Sequence, residues 1–178
     1  MNRRVAQLAV VAAITFISAV GVAKAADTPD SWVTMKTKVS LMTTEGVTTS
    51  DLNVDTVNGV VTLHGKVASE AQKAKAGDVA RRIDGVKEVK NLLQVVPKSE
   101  RAVVERSDDQ IKAGVEAAFK ANRRVNDSGI KVASVNKGVV LLSGKTKSWE
   151  AHLESVQVAD AVRGVRRVST EVEVVPGP

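Results

Sequence analysis

Gly144-Lys145-Thr146 and two histidines, His64 and His152, are the residues of this 178-residue chain whose types could do chemistry. A glycine–lysine–threonine run is how a phosphate-binding loop ends. Backbone N–H groups cradle the phosphates, the lysine reaches them and the hydroxyl holds magnesium. Such a loop needs a glycine five residues before Gly144, where Val139 stands; Gly138 is one residue too early. The residues between, Val139 to Ser143, are mostly apolar and read as strand. Earlier in the chain Gly65-Lys66-Val67 repeats the glycine and lysine without the hydroxyl. No nucleotide site is expected.

The histidines fare no better. Zinc sites collect cysteine and histidine at recognisable spacing, and this chain has no cysteine. His64 falls late in a strand and His152 on a helix, both expected at the surface or its rim. No nucleophile-elbow motif is present. Neither metal, cofactor nor catalysis is expected.

The N-terminus points to export. Met1-Asn2-Arg3-Arg4 is a short basic start, Val5 to Val22 is mostly apolar, and Ala23-Lys24-Ala25 has the small-x-small form of a cleavage site. The expectation is a cleavable signal peptide over 1–25 and a soluble periplasmic protein beyond it. Losing Arg3, Arg4 and Lys24 would lower the formal net charge from +6 to +3. All of that excess falls after residue 97. It is too mild for a nucleic-acid footprint, which shows a pronounced basic patch.

The chain repeats itself. V-N-G-V-V-T-L-H-G-K (Val57–Lys66) nearly rhymes with V-N-K-G-V-V-L-L-S-G-K (Val135–Lys145). From Gly59 the halves align without a gap at an offset of 79, with 15 identities over 39 positions. Each half reads α-β-β-α-β. Helices are expected over 31–44 and 108–122, the second burying Ile111, Val115 and Phe119, the first Trp32, Met35, Val39 and Met42. Strands are expected over 51–57, 60–67, 129–135 and 139–145. Ser69 and Gln72 form a capping box, and Ser148 caps the matching helix. The apolar face of that last helix reads Leu153, Val156, Val158, Ala159 and Val162. The glycines are structural. Asn58-Gly59 is a two-residue hairpin turn, and Asn136-Lys137-Gly138 a three-residue loop with Lys137 as the inserted residue. Gly65 and Gly144 sit in the second strands. Gly85 and Gly164 end helices.

These elements imply an α+β fold: two tandem modules, each a small three-stranded mixed sheet with two helices on one face. The expected domains are 26–97 and 108–178. Residues 98–107 are either a linker or an extension of the next helix.

The motif order resembles the BON domain. It runs Leu52-x-Val54, Asn58-Gly59-Val60-Val61-x-Leu63-x-Gly65-x-Val67, Ala80, then Gly85-Val86-x-x-Val89-x-Asn91. The second copy matches at Ile130-x-Val132, Gly138-Val139-Val140-x-Leu142-x-Gly144, Ala159 and Gly164-Val165-x-x-Val168, departing at Thr146 and Thr170. The resemblance implies a non-enzymatic periplasmic protein of envelope maintenance or osmotic stress that binds anionic phospholipid or other envelope surfaces. Its alternative is a periplasmic chaperone holding unfolded exported or outer-membrane clients, although no Met-rich or aromatic client groove is read in the sequence. The residues themselves nominate a surface on the second module. Lys112, Lys120, Arg123 and Arg124 lie near the apolar face of its first helix, and Trp149 opens its second. Basic side chains beside an aromatic suit anionic lipid head groups. Four such residues contribute about 4 kcal/mol, a Kd of about 1 mM.

Overall fold

A computed structural model describes residues 28–175; the expected signal peptide and its cleavage site lie outside the described residues. The first module runs α1 (Asp30–Thr43), β1 (Leu52–Val57), β2 (Val60–Val67), α2 (Glu70–Arg81), β3 (Glu88–Asn91) and β4 (Gln94–Val95). A 3-10 turn (Lys98–Glu100) leads to the second: α3 (Arg101–Ala121), α4 (Arg123–Asn126), β5 (Ile130–Asn136), β6 (Val139–Thr146), α5 (Trp149–Asp160) and β7 (Arg167–Val174). Each sheet is mixed, as expected. β2 pairs antiparallel with β1 and parallel with β3 and β4, which form one interrupted strand; β6 does the same with β5 and β7. Residues 101–107 form the first turns of α3, so the stretch expected as a linker over 98–107 is helical from Arg101 onward.

Side-chain alternation along the strands separates two faces. Val54, Val61, Leu63 and Val67 meet Val33 and Leu41 of α1 and Ala76 and Ala80 of α2 in one core. Val132, Val135, Val140 and Leu142 meet Ile111, Val115, Phe119 and Ala159 in the other. Ser69 accepts the Gln72 N–H at 3.2 Å, while the Gln72 side chain reaches the N–H of Ala68 rather than that of Ser69.

Four expectations need correction. The buried face of α1 is Val33, Thr37 and Leu41; Trp32, Met35, Val39 and Met42 are exposed. Thr37 can be fully buried because its hydroxyl donates to the Val33 carbonyl at 2.8 Å, so no polar atom is stranded. In α5 Ser155 does likewise with the His152 carbonyl at 2.7 Å. Ala151, Ser155 and Ala159 are buried and Leu153 is exposed. The inserted residue of the second hairpin is not Lys137. Asn136 pairs with Val139 within the strands, leaving a two-residue turn of Lys137 (φ 49°) and Gly138 (φ 75°) that matches Asn58 (φ 54°) and Gly59 (φ 80°). The extra residue enters as a β-bulge between Val132 and Ser134, which is why the repeat offset grows there from 78 to 79. Gly85 and Gly164 serve a turn beyond their helices, closed for Gly85 by the Val86 N–H on the Ile83 carbonyl at 3.1 Å.

The helix-free faces of the two sheets meet. Thr62 and His64, alternating with core residues of β2, and Leu141, alternating with core residues of β6, are each at most 6% exposed. Lys66 of the first module lies 3.3 Å from Asp108 of the second, and the Lys137 ammonium donates to the Val95 carbonyl at 3.2 Å. Arg101 pairs with Asp51. A module this small buries only about 60% of its unfolded surface, so this seam is a substantial part of what holds the second module against the first.

Candidate functional site

Gly144, Lys145 and Thr146 are strand residues of β6, and Lys145 pairs with Glu173 of β7 at 3.1 Å. Among the described residues no cluster of three His, Cys, Asp or Glu side chains could hold a metal. His152 is fixed by Thr170 (Nε2 to Oγ1, 3.0 Å) and stacks on Trp149 with ring centroids 5.8 Å apart. His64 is not at the surface. It is buried in the seam with Nε2 2.8 Å from Asp55 Oδ2. That hydrogen bond holds the Asp55 carboxyl below its ordinary range.

The hairpin glycines have a partner the sequence reading missed. The Asp30 carboxylate, at the start of α1, accepts the N–H groups of Asn58 (2.7 Å) and Gly59 (2.8 Å). Asp108 of α3 accepts those of Lys137 (2.9 Å) and Gly138 (3.0 Å). Each module thus pins its tightest turn with one charge-assisted pair of hydrogen bonds. The two aspartates are 78 residues apart, the same offset as Leu52 and Ile130, and that signal was available in the repeat.

The expected basic surface is only partly assembled. Lys112 and Lys120 are exposed on α3 with Glu116 between them. Arg123 faces Asp127 at 3.9 Å, and Arg124 pairs with Glu154 of α5 at 2.8 Å. Trp149 is exposed at the start of α5. Arg124 shares with Lys145, Lys147, Ser148 and Ala151, close to Trp149 in the chain, a cavity of about 680 Å³ at that helix start. The Ser148 hydroxyl donates to Glu150 and holds that carboxyl below its usual range. Acidic neighbours therefore dilute each part of this surface.

A more continuous apolar surface lies on α1, although its lysines also have acidic neighbours, Lys36 at 3.8 Å from Asp84 and Lys38 facing Asp55. Trp32, Met35, Val39 and Met42 are 46%, 47%, 55% and 70% exposed and recur at helical spacing along one stripe. At 3.6 residues per turn Lys36 and Lys38 fall on its two flanks, with the Lys36 ammonium 5.6 Å from the Trp32 ring centroid. The fold does not require these residues. At the matching positions of α3, 78 residues on, stand Gln110, Ala113, Ala117 and Lys120. On the order of 400 Å² of side chain is exposed along the row, the size of a functional patch. That is about half of what one partner of a standard protein interface buries.

Comparison with known proteins gives consistent relatives. The BON domain family matches twice, over residues 29–97 and 107–176. The osmotically-inducible protein Y of Escherichia coli is 32% identical over 145 residues, covering 81% of this chain and 72% of that protein. The outer membrane lipoprotein DolP of Haemophilus influenzae is 32% identical over 117 residues, covering 66% of this chain and 59% of that protein. Among solved structures, CdsD, a structural protein of the type III secretion system of Chlamydia trachomatis, superposes with a TM-score of 0.34 at 11% identity. The match covers 80% of this chain and 92% of that one, too distant to inform fold or function.

Proposed function

From a chain that belongs to the BON domain family, one copy in each module, we propose a non-enzymatic periplasmic protein of the bacterial envelope that rests on anionic phospholipid through the exposed face of α1. The row of Trp32, Met35, Val39 and Met42 between Lys36 and Lys38 carries this reading. An in-plane amphipathic helix places such a row at the acyl boundary and its lysines among the head groups. The relatives named for osmotic induction and for the outer membrane support the envelope setting and a role in osmotic stress. Among the described residues no helix is long and apolar enough to cross a membrane, and none is needed for this attachment.

Magnitudes rank the contributions. Burying half of the roughly 400 Å² contributes about 5 kcal/mol at 25 cal/mol per Å². Two lysines near an anionic surface add about 1 kcal/mol each. Binding is therefore mainly apolar and outlasts moderate salt. Co-sedimentation with phosphatidylglycerol vesicles tests it. Lys36→Gln/Lys38→Gln is expected to weaken retention by about thirtyfold, and Met35→Glu/Val39→Glu, which removes apolar area and adds two carboxylates at the acyl boundary, by more. Lys120→Glu and Trp149→Ala probe the basic end of the second module; a loss there as large as on α1 would move the contact. Failure of the parent protein to bind at low salt would end the lipid reading.

The same row supports a second reading, a holdase for unfolded exported proteins, because Met35 and Met42 are adaptable apolar contacts. Suppressed aggregation of a client at equimolar protein, without vesicle binding, would favour it.

A further inference from the structure

The seam between the modules holds an unusual set of polar atoms. Thr62 Oγ1, His64 Nδ1 and Glu171 Oε1 are buried there and none makes a hydrogen bond of ordinary length and angle, the kind of group a packed interface normally satisfies, although Thr62 stands close enough to Glu171 to favour its charged form. Glu171, on β7, faces Thr62 and His64 of β2, Asp55 of β1 and Lys90 of β3. It lines two clefts at the seam. One, of about 360 Å³, is shared with Thr62 and Lys90; the other, of about 660 Å³, with Asp55, Lys131, Lys145 and Glu173. Glu173 already has Lys145, and Asp55 already has His64. Glu171 is left with no ion pair of its own among the described residues. We propose that Glu171 makes the docking of the two modules proton-dependent: with a proton on its carboxyl the seam closes, and without it the seam loosens.

The sign follows from linkage. Burial raises the Glu171 carboxyl above its ordinary 4.5, and Asp55 adds to the rise. Thr62, His64 and Lys90 act against it. The docked state therefore binds this proton more tightly than the separated modules do. Docking is favoured at and below pH 4.5, and that contribution disappears as pH rises through the elevated value. Asp55 works in the opposite sense. Its carboxyl is held below 3.8, chiefly by the His64 hydrogen bond within the first module, so that contribution to the module's own fold is present above 3.8 and is lost only in stronger acid. The Asp108–Lys66 pair and the Lys137–Val95 contact hold the modules together while the seam loosens.

The absence of native cysteine permits a direct reading. A thiol placed by Leu141→Cys is buried only while the modules are docked. Its labelling by a disulfide reagent, divided by the rate in denaturant at each pH, reports the opening equilibrium. Protection is expected to be greatest at and below pH 4.5, to fall as pH rises through the elevated Glu171 value, and to level off by pH 8. Adding Glu171→Gln should hold it at the acid value throughout, while Glu173→Gln should leave the fall intact. A flat profile without Glu171→Gln, or an unchanged one with it, overturns the proposal. Should Leu141→Cys not fold, melting answers the same question: Glu171→Gln alone should stabilise increasingly over the parent protein as pH rises from 4.5 to 8, and a constant difference overturns it.

Discussion

Gly65→Ala is expected to unfold the first module. Gly65 has a φ of +119°, which side-chain-bearing residues rarely adopt, and a Cβ there would stand 1.9 Å from the Asp51 carbonyl oxygen. That oxygen cannot retreat, because it accepts the Lys66 N–H at 2.9 Å and so fixes where β1 begins against β2. The second module repeats the arrangement: a Cβ on Gly144, at φ +129°, would stand 2.3 Å from the Gly129 carbonyl oxygen. The backbone conformation costs about 1–2 kcal/mol, and separating the strands costs the hairpin register. The total, about 4–5 kcal/mol, belongs to the rare large substitutions and rivals the whole stability of a small domain. Urea unfolding followed by circular dichroism should lose roughly the amplitude of one module. Gly46→Ala is the control, at φ +76° with its nearest neighbour at 3.7 Å; it should cost only about 1 kcal/mol. Equal effects at Gly46 and Gly65 would show that the close approach is unimportant.

The glycine–lysine phrase was legible in the sequence as architecture because strands and turns obey local rules. Alternation and β-branching place β1, β2, β5 and β6 from neighbours alone, and Asn58-Gly59 gives the first turn, whereas the second hairpin's extra residue lies in a bulge between Val132 and Ser134 that local rules put in the turn instead. The helix faces were harder. Thr37 and Ser155 look polar, yet each satisfies its hydroxyl on its own helix and enters the core. An apolar-periodicity reading therefore chose Trp32, Met35, Val39 and Met42. The repeat held the answer, since Val33, Thr37 and Leu41 stand 78 residues before Ile111, Val115 and Phe119. The seam was illegible for a different reason. His64, Lys66 and Glu171 sit on strand faces that alternation assigns to solvent, and only the other module, distant in sequence, removes them from it. Candidate function moved accordingly, from the basic residues of α3 and α4 to the apolar face of α1.

Asp108→Ala should then cost more than Asp30→Ala, although the two aspartates do the same work for their own hairpins. Asp30 gives up two hydrogen bonds from exposed or half-buried turn amides. Bonds to a charged group contribute about 1.5–3 kcal/mol, and water reaches this turn, so about 2 kcal/mol is expected. Asp108 gives up the same pair, but its side chain is 6% exposed and faces Lys66, itself 11% exposed. Removing it leaves an ammonium in the seam without its counter-charge, and breaking one side of a buried pair costs about 3–5 kcal/mol. The difference belongs to docking rather than to the turn. Lys66→Met should therefore rescue the loss in part, since it removes the stranded charge and keeps the apolar stem in place. Asp108→Asn with Lys66→Met should come closer still to the parent protein. A double-mutant cycle by urea unfolding measures this, and the coupling should exceed 1 kcal/mol in magnitude, as expected for contacting residues. Equal costs at Asp30 and Asp108 with no coupling to Lys66 would mean that the seam does not depend on this pair. The two modules would then be held by Leu141 and the strand faces alone.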